Sequence, residues 1–527
     1  MGSVLDFDSS KLDMVLQEYG IKQAWINILA THLNGLNDFA YILDSEEFAE
    51  AVILNEDLIA ELSIGDIGVL YEYSVASIDA ESRKSNGQFF TPDDVAKFMV
   101  SFVNEFPEGI WLDPCSGIGN LSWHLVVSQE NPELFLLNNT VLSDKDELAL
   151  LIARTLFTKS FQKEHKNLFH EAAHCFVCFD FLSVADSGSA TLLTNDQDLG
   201  AIPSHDFVIV NPPYLATQRD ARFETARSAD LYSYFLENII KTSKGFISIT
   251  PQSFTNASKF ADLRSLLLRS YSNLRIFNFD NVPGNIFRGI KFGSKNSNKS
   301  NSIRAAITVA LPIEGQSQIT SLMRWRSAER ERLFREVDKF LSDVPLSEAF
   351  FPKVSTVMRD LYLELLQKPT LGSICTSKRT EFPLFVPSSP RYFIPALKSE
   401  VKRSSQHEIF FQNKIDRDLA YMIINSSLMY WWWRVRDGGM TLSQETLFSL
   451  PMPKFKINAK LIKLLEESEQ VNKVYKQNAG EAQENVKHPS SLLLALNHTI
   501  MPEFAERLMS THENSEFAQV QYLSNRD

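Results

Sequence analysis

Four short apolar segments, each followed by Asp or Asn, constrain the fold of this chain most. They are GIWLDP (109–114), NTVLSD (139–144), CFVCFD (175–180) and DFVIVNPPY (206–214). Segments with helical periodicity separate them, and further strand-like runs continue to about residue 313. Buried strands that alternate with helices predict an α/β fold with a doubly wound, mostly parallel sheet. In such a sheet the carboxyl ends of the strands meet at one edge, where ligands bind.

The sequence pattern divides the chain into four predicted parts. Residues 1–85 form an acidic, helical N-terminal region, and residues 86–313 form the α/β catalytic domain. From 314 to 456, aromatic residues and prolines replace the regular alternation, which indicates an α+β domain. Helical periodicity returns over 457–527, so we expect a helical C-terminal region.

Charge is distributed unevenly along the 527 residues. Residues 1–80 hold fifteen Asp or Glu and two Lys or Arg, which accounts for the whole net charge of −13. Residues 321–460 hold 22 basic and 15 acidic side chains, a surplus of seven positive charges. A modest basic surface of this kind suits contacts with phosphates. The acidic segment suits docking on a basic partner or on the protein's own surface.

Hydropathy and cysteine content indicate a cytoplasmic protein. The sequence has neither a signal peptide nor an apolar run of the length, about 18 residues, that a membrane span needs. Four cysteines do not make a disulfide framework. Cys175 and Cys178 have the CxxC spacing of half a zinc site, but no second Cys or His pair lies nearby, so we predict no metal site.

The first acid-ended strand leads into a glycine-rich turn, DPCSGIGNL at 113–121. Gly117 and Gly119 permit a tight turn and close approach of the backbone to a ligand, and the helix that follows offers free amide hydrogens. Asp113 would repel a phosphate but attract an amine or hydroxyl. The turn therefore favours S-adenosylmethionine, which carries an ammonium group, over a dinucleotide.

The next two strand ends offer further acceptors. Asp144 can accept hydrogen bonds from two ribose hydroxyls, and a helix N-cap is the less favoured alternative role for it. Asp180 can accept from an adenine amino group, and Phe181 can pack on the adenine ring. Three consecutive strands that end in Asp at one sheet edge predict a nucleoside-type cofactor.

These segments together resemble the motifs of N6-adenine DNA methyltransferases of the gamma class, as found in type II restriction–modification systems. The resemblance covers roughly residues 60–310 in order. A further segment, DGGMTLSQETLFSLPMPK (437–454), resembles the end of a target-recognition domain, which implies this role for residues 314–456. The motifs that carry the resemblance are FFTPDDVAKFMV (89–100), DPCSGIGNL (113–121), NPPY (211–214), DLYSYFLENII (230–240) and NVPGNIFRGIK (281–291).

The resemblance implies a Rossmann-like methyltransferase domain and assigns roles to single residues. Cofactor binding is predicted for Thr91 (near the methionine carboxylate), Asp113, Cys115, Gly117, Gly119, Asp144, Lys145, Asp180, Phe181 and Asn211. Catalysis is predicted for Asn211, Pro212, Pro213 and Tyr214, stacking on the target base for Tyr214 and Phe287, and DNA contact for Lys291, Arg434 and Arg436. The DLYSYF helix is expected to pack without direct chemistry.

The tetrapeptide NPPY suits attack by an amino nitrogen whose lone pair is delocalised into a ring. If Asn211 Oδ1 and the Pro212 carbonyl each accept one hydrogen, the nitrogen becomes more tetrahedral and its lone pair is released. Prolines restrict φ and remove backbone donors, so they orient this carbonyl without a competing hydrogen bond. The base must leave the double helix, and stacking by Tyr214 and Phe287 would offset part of that cost.

NPPY alone does not choose the substrate, because similar tetrapeptides serve enzymes that methylate RNA or a protein amide. More than 200 residues follow the catalytic domain, with a basic balance and Trp residues next to arginines at 431–436. We therefore expect double-stranded DNA as substrate, in a bacterial cytoplasm.

A nuclease motif is incomplete in this sequence. Glu400 and Lys402 supply its second half, but a suitably spaced Pro-Asp is missing upstream. We predict methylation without cleavage, beside a separate restriction endonuclease or specificity subunit. The protein is then a monomer or a partner-dependent complex. The competing hypothesis is a DNA-binding subunit that needs a partner subunit for activity.

Overall fold

The computed structural model of the protein describes residues 9–78, 91–183, 202–287, 303–390, 393–437, 441–478 and 481–512. The chain forms two compact units. The first comprises residues 1–254, 259–275 and 285–316, and the second comprises 255–258, 276–284 and 317–527. The main change of unit along the chain, at 316–317, lies close to the border predicted at 313–314. The division into four parts stays a prediction.

The first unit contains the alternating strands and helices expected from the sequence. Its helices are α1 (Ser9–Leu33, kinked at Gly20), α2 (Ala40–Leu43), α3 (Ile64–Ile78), α4 (Asp93–Val100), α5 (Asn120–Val127), α6 (Pro132–Asn139), α7 (Glu147–Phe161), α8 (Leu168–Glu171), α9 (Leu231–Thr242) and α10 (Ala261–Ser270). The strands up to residue 310 are β1 (Trp111–Asp113), β2 (Thr140–Asp144), β3 (Phe176–Cys178), β4 (Phe207–Val210), β5 (Gly245–Pro251), β6 (Leu274–Phe279) and β7 (Ala305–Ala310). The chain crosses into the second unit within β6.

The strands of the first unit lie in the order β3-β2-β1-β4-β5-β7. All neighbours from β3 to β5 pair in parallel, and β7 pairs antiparallel with β5. The predicted mostly parallel α/β sheet is therefore confirmed. The strand order reverses between β1 and β4, and a crevice for ligands is expected at the carboxyl ends of these two strands.

Burial on both faces explains why β4 is a continuous apolar run. All four residues of β4 are buried, as are all three of β1 beside it. At their amino ends, Phe106 packs edge-on against Trp111 and Phe207, with ring centroids 5.0 and 5.3 Å apart respectively. This aromatic cluster anchors the two central strands, so that the polar residues that follow them are held at the opposite, carboxyl edge.

The acidic N-terminal region packs within the first unit. Buried side chains of α1 and α3 share one hydrophobic core with those of α7 and β2. Basic side chains of α7 lie among the N-terminal acids: Arg154 forms an ion pair with Glu47, and Lys159 hydrogen-bonds His32, which in turn contacts Asp57. Through these contacts the acidic segment packs on the protein's own surface, while docking on a basic partner stays a prediction.

The second unit contains short strands and helices. Its elements beyond β6 are β8 (Gln318–Met323), α11 (Arg330–Glu336), α12 (Arg359–Leu365), β9 (Cys375–Thr376), β10 (Pro383–Pro387), β11 (Gln406–Phe411), α13 (Lys414–Ile424), α14 (Ser427–Arg436), α15 (Gln444–Phe448), α16 (Ala459–Val471), β12 (Lys473–Asn478), β13 (Glu481–Val486), α17 (Ser490–Ile500) and α18 (Ala505–Ser510). Helix α14, which holds the predicted DNA contacts Arg434 and Arg436, is deeply buried. Its residues Trp431, Trp432 and Trp433 are at most 4% exposed. These tryptophans therefore form part of the core of the second unit.

Among the described residues, none of the helices combines the length and apolar character needed to cross a bilayer.

Gly119 provides a test of the packing around the glycine turn. Its φ is +84°, and an added Cβ would lie 2.9 Å from side-chain atoms of Leu142 and Phe157. We expect Gly119→Ala to lower the free energy of unfolding by about 2–4 kcal/mol, since a left-handed backbone and an overpacked core both cost energy. Gly117→Ala is the matched control, because Gly117 has φ +53° but open space at Cβ. Urea unfolding measures both, and equal losses would contradict the packing argument.

Candidate active site at the carboxyl edge of the sheet

A cavity of about 370 Å³ opens at the carboxyl ends of β1, β2 and β4 in the first unit. It lies where the strand order reverses, as the fold predicts. Nine of the ten residues predicted to bind the cofactor line this cavity, and Gly119 is the exception. Gly119 instead packs its backbone against Leu142 and Phe157 behind the turn. The structure therefore brings residues that are 120 positions apart in the sequence to one wall.

Asp113, the last residue of β1, is 2% exposed. The Ser122 hydroxyl donates to its Oδ2 at 3.2 Å, while Oδ1 is buried without a hydrogen-bond partner among the described residues. Burial raises the pKa of this carboxyl to about 7, and the nearby charge of Asp144 adds to the effect. A buried carboxylate with an unsatisfied oxygen is a strong acceptor for a cationic or amino group.

Asp144, the last residue of β2, organises the glycine turn. The Gly117 amide donates to its Oδ2 at 2.8 Å, and the Asp146 amide donates to its Oδ1 at 3.0 Å. Burial nevertheless raises the pKa of this carboxyl above its ordinary value. The helix-capping role belongs to Asp146, whose Oδ1 accepts from the Leu148 and Ala149 amides at the start of α7. Asp144 is thus available to a ligand on the cavity side, because a carboxylate oxygen accepts more than one hydrogen bond.

Asp180 and Phe181 lie two and three residues beyond the end of β3. Asp180 is exposed at the cavity and accepts a hydrogen bond from the Leu182 amide at 3.0 Å. Phe181 is 1% exposed and stacks on Phe235 of α9, with centroids 5.5 Å apart and an interplanar angle of 24°. Its ring is therefore fixed by an aromatic partner at the cavity wall.

Sequence reasoning missed the contribution of α3 to the cavity. Gly68, Tyr71, Glu72 and Val75 line it, and the Tyr71 hydroxyl donates to Asp146 Oδ2 at 2.5 Å. Burial, together with the charge of Asp146, raises the pKa of Tyr71 well above its ordinary value. The N-terminal region is therefore one wall of the site. The helical N-terminal region that the sequence predicts ahead of the FFTPDD motif was the signal that could have revealed this wall.

The DLYSYF helix also contributes more than expected. Leu231 and Phe235 of α9 line the cavity, whereas the sequence predicts only packing for this motif. Asp230, immediately before α9, forms an ion pair with Lys259 at 3.3 Å, and burial raises the pKa of its carboxyl to about 6. The helix thus provides apolar lining while its first acid is held by a lysine.

The NPPY residues follow β4 and reach the same cavity. Asn211 and Pro213 line it, whereas Pro212 is buried beneath them. The Asn211 Nδ2 donates to Thr91 Oγ1 at 2.9 Å, and the Cys115 thiol donates to the Asn211 carbonyl at 3.3 Å. The tetrapeptide is therefore tied to the predicted cofactor motifs by hydrogen bonds.

Tyr214 belongs to an aromatic group beside the cavity. Its hydroxyl donates to the Ile249 carbonyl at 2.9 Å, and burial keeps the pKa of the phenol well above its ordinary value. Its ring lies edge-on to Phe287 at 6.0 Å and 66°, and to Tyr232 at 6.3 Å and 82°. The structure brings the two residues predicted to stack on the base together, in a T-shaped rather than a parallel pair.

The three predicted DNA contacts have different outcomes. Lys291 lies outside the described residues. Arg436 is partly buried, with its guanidinium 4.2 Å from the centroid of the Phe350 ring. Arg434 is 7% exposed; it donates to Asp280 Oδ2 at 2.8 Å and to the Leu322 carbonyl at 2.9 Å. Both hydrogen bonds hold the guanidinium inside the second unit, so Arg434 has a structural role. The DNA contact predicted for Arg434 is therefore wrong.

Two sequence families match within residues 63–287. The profile of the N-6 DNA methylases matches residues 63–132, and that of the Eco57I restriction-modification methylases matches residues 138–287. This part of the chain is therefore similar to DNA methylases of restriction–modification systems. Neither family description distinguishes the gamma class, which stays a prediction. No curated protein sequence matches the chain.

Solved structures of restriction–modification proteins are similar to this chain at low sequence identity. A DrdV–DNA complex is 14% identical over 73% of this chain and 45% of its own, with a TM-score of 0.44. A nuclease-deletion mutant of the type ISP enzyme LlaGI with a DNA substrate mimic is 13% identical over 72% and 39%, with a TM-score of 0.42. A type I methyltransferase subunit from Streptococcus thermophilus is 14% identical over 66% and 92%, with a TM-score of 0.37. The chain spans less than half the length of the first two.

The raised pKa of Asp113 makes the stability of the protein depend on pH. The carboxyl ionises near 3.8 in the unfolded chain and near 7 in the folded one, so the folded state binds the extra proton between these values. Stability should therefore fall as pH rises from about 4 to 7, by at most about 4 kcal/mol. Asp113→Asn should remove this component. Urea midpoints from pH 5 to 8 test it, and parallel pH curves for both proteins would disprove it.

The buried Arg434 predicts a stability effect that Arg436 does not share. Arg434→Ala leaves Asp280, whose side chain is 4% exposed, without its buried counter-charge. We expect a loss of about 3–5 kcal/mol. Arg436→Ala, the neighbouring control, should cost about 1 kcal/mol, since it removes a ring contact and a weak pairing with an exposed carboxylate. Thermal unfolding of the two variants gives the comparison, and equal effects would place Arg434 outside the core.

Proposed function

We propose that the protein transfers a methyl group from S-adenosylmethionine to the N6 amino group of adenine in double-stranded DNA. The observation that supports this most is the position of NPPY, which follows a buried central strand and reaches a cavity lined by Asp113 and Asp144. The family matches over 63–132 and 138–287 agree with it. This role suits the modification component of a restriction–modification system.

The cavity residues fit the cofactor. Asp113 has a buried Oδ1 without a partner among the described residues, as expected for the acceptor of an ammonium group. Gly117 has open space where a side chain would lie, which permits close approach. The volume of 370 Å³ falls within the range of small-ligand sites, roughly 300–1,000 Å³. Asp144, Lys145 and Asp180 would hold the ribose and adenine parts.

S-adenosylmethionine supplies an electrophilic methyl group on a sulfonium. Asn211 Oδ1 and the Pro212 carbonyl would each accept one N6 hydrogen, which draws the nitrogen towards tetrahedral geometry and frees its lone pair. On transfer of that methyl group to N6, the sulfur would keep the electron pair of the S–C bond and the N6 proton would be released to solvent. Positioning and electrostatics carry this chemistry without a strong general base.

The proposal that duplex DNA is the substrate depends on the second unit and on the aromatic group of Tyr214, Tyr232 and Phe287. A base rotated out of the duplex loses stacking worth a few kcal/mol. Tyr214 directly follows Pro213, which lines the cavity, and its ring centroid lies 6.0 Å from that of Phe287. A parallel arrangement on both faces of a base would require one ring to turn from the observed 66°. We infer that base entry is accompanied by this rotation.

The same chemistry allows a partner-dependent enzyme. In this second candidate, the chain binds DNA and cofactor but methylates only with a specificity subunit or beside a restriction endonuclease. The exposed acids of residues 38–61 favour a basic partner, since few of them are used in pairing with α7.

Transfer of label tests the proposal. Pure protein is incubated with tritium-labelled S-adenosylmethionine and unmethylated duplex DNA, and the labelled nucleoside is identified. We expect N6-methyladenine in wild type and a rate lower by about a hundredfold or more in Asn211→Ala, because one of two acceptors is lost. Cofactor binding, measured by calorimetry, should persist in the variant.

Each other outcome selects a different function. Label in RNA or protein but not in DNA would overturn the substrate proposal. Label in DNA only after a host extract is added would favour the partner-dependent enzyme. Full activity of Asn211→Ala would exclude the mechanism.

A further inference from the structure

Helix α3 lines the cavity with one face and is anchored in the N-terminal core. The cavity residues of α3 stand at positions 68, 71, 72 and 75, a spacing that places them on one side of a helix. Ser74, which is fully buried, accepts a hydrogen bond from Trp25 Nε1 at 3.1 Å. The Trp25 ring also lies edge-on to Tyr71, with centroids 5.5 Å apart and an interplanar angle of 76°. The helix is therefore a fixed wall of the cavity.

The Tyr71 hydroxyl reaches the turn that follows β2. It donates to Asp146 Oδ2 at 2.5 Å. The direction of this hydrogen bond is fixed, because a carboxylate oxygen accepts and because burial, with the charge of Asp146, raises the pKa of the phenol and keeps it protonated. The other oxygen of Asp146, Oδ1, caps α7 through the Leu148 and Ala149 amides. Tyr71 thus holds the second oxygen of the capping carboxylate.

Asp146 in turn holds Asp144, which ends β2 and lines the cavity. The Asp146 amide donates to Asp144 Oδ1 at 3.0 Å, and the Gly117 amide donates to Asp144 Oδ2 at 2.8 Å. Main-chain amides only donate, so these two hydrogen bonds also have one possible direction. The two donors, one on each oxygen, set the plane of the Asp144 carboxylate. One of them belongs to the residue that Tyr71 holds.

We propose that Tyr71 is a positioning residue for cofactor binding, which acts through Asp146 on the orientation of the Asp144 carboxylate. The inference rests on the proposed function, in which Asp144 accepts from the ribose hydroxyls of S-adenosylmethionine. The N-terminal region thereby contributes to the affinity for the cofactor, although the residues that the sequence assigns to cofactor binding begin at Thr91. Loss of the Tyr71 hydroxyl should weaken cofactor binding without loss of the fold.

Two tyrosine variants separate this role from general docking of the N-terminal region. Tyr71→Phe removes the hydroxyl and keeps the ring that packs on Trp25. Tyr41→Phe is the matched control, because the Tyr41 hydroxyl also ties the N-terminal region to the first unit: it donates to Gln162 Oε1 at 2.6 Å and accepts from the Phe169 amide at 3.1 Å. Tyr41 is not one of the described residues that line the cavity. Thermal unfolding of both variants verifies that the fold is intact.

The measured quantity is the calorimetric Kd of S-adenosylmethionine for the full chain. We expect Tyr71→Phe to raise this Kd by about fivefold to twentyfold, because a hydrogen bond to a charged group is lost. Tyr41→Phe should stay within about twofold of wild type, since Gln162 lies at the opposite end of α7 from Asp146 and distant sites act independently.

A double-mutant cycle with Asp144→Ala tests the route of the effect. Asp144→Ala should itself raise the Kd by about tenfold or more, because the ribose acceptor is removed. In that background, Tyr71→Phe should change the Kd by less than about twofold, since the carboxylate that Tyr71 orients is gone. A purely structural role of Tyr71 would instead give the same effect in both backgrounds.

Other results would overturn the positioning role. A Kd of Tyr71→Phe within about twofold of wild type, an equal rise in Tyr41→Phe, or an undiminished effect in the Asp144→Ala background would each do so. If wild type binds S-adenosylmethionine but labels no adenine, the proposed substrate fails, and the cycle still decides the role of Tyr71. If wild type binds no S-adenosylmethionine, the proposed function and the positioning role fail together.

Discussion

The parallel pairing of β1 with β2 and β4 is the constraint on which the rest of the site depends. Parallel strands end at one edge of the sheet, so the residues that follow each strand are brought together however far apart they are in sequence. The aromatic contacts of Phe106 with Trp111 and Phe207 hold the other ends of β1 and β4. Asp113 and Asn211 consequently line the same cavity at this edge of the sheet.

Burial then gives these polar groups their chemical character. Asp113 and Asp144 lie in a low-dielectric wall, where the pKa of each carboxyl is raised and an opposite charge would be bound strongly. The same burial keeps Tyr214 and Cys115 protonated, as donors to main-chain carbonyls. Hydrogen bonds with Thr91 and Cys115 tie Asn211 to the glycine-turn side of the cavity.

The acidic N-terminal region shows how a charge imbalance can serve the protein's own fold. Its apolar faces join the core beneath α7, and Arg154 and Lys159 of that helix lie among its acids. Helix α3 then forms a wall of the cavity through Tyr71. The N-terminal region therefore belongs to the same unit as the candidate site, and the wall of the cavity includes residues that precede Thr91 in the sequence.

The sequence by itself determined the parallel sheet, the strand ends and the motifs, because alternation of apolar runs and the residues at their ends are local properties of the chain. Nine of the ten residues predicted from the sequence to bind a cofactor line one cavity. Only the tertiary structure decided that Arg434 pairs with Asp280, that Tyr71 lines the cavity and bonds Asp146, and that Asn211 donates to Thr91. These contacts join residues 75 to 154 positions apart. Side-chain burial and pairing over such separations follow from packing, which no local pattern specifies.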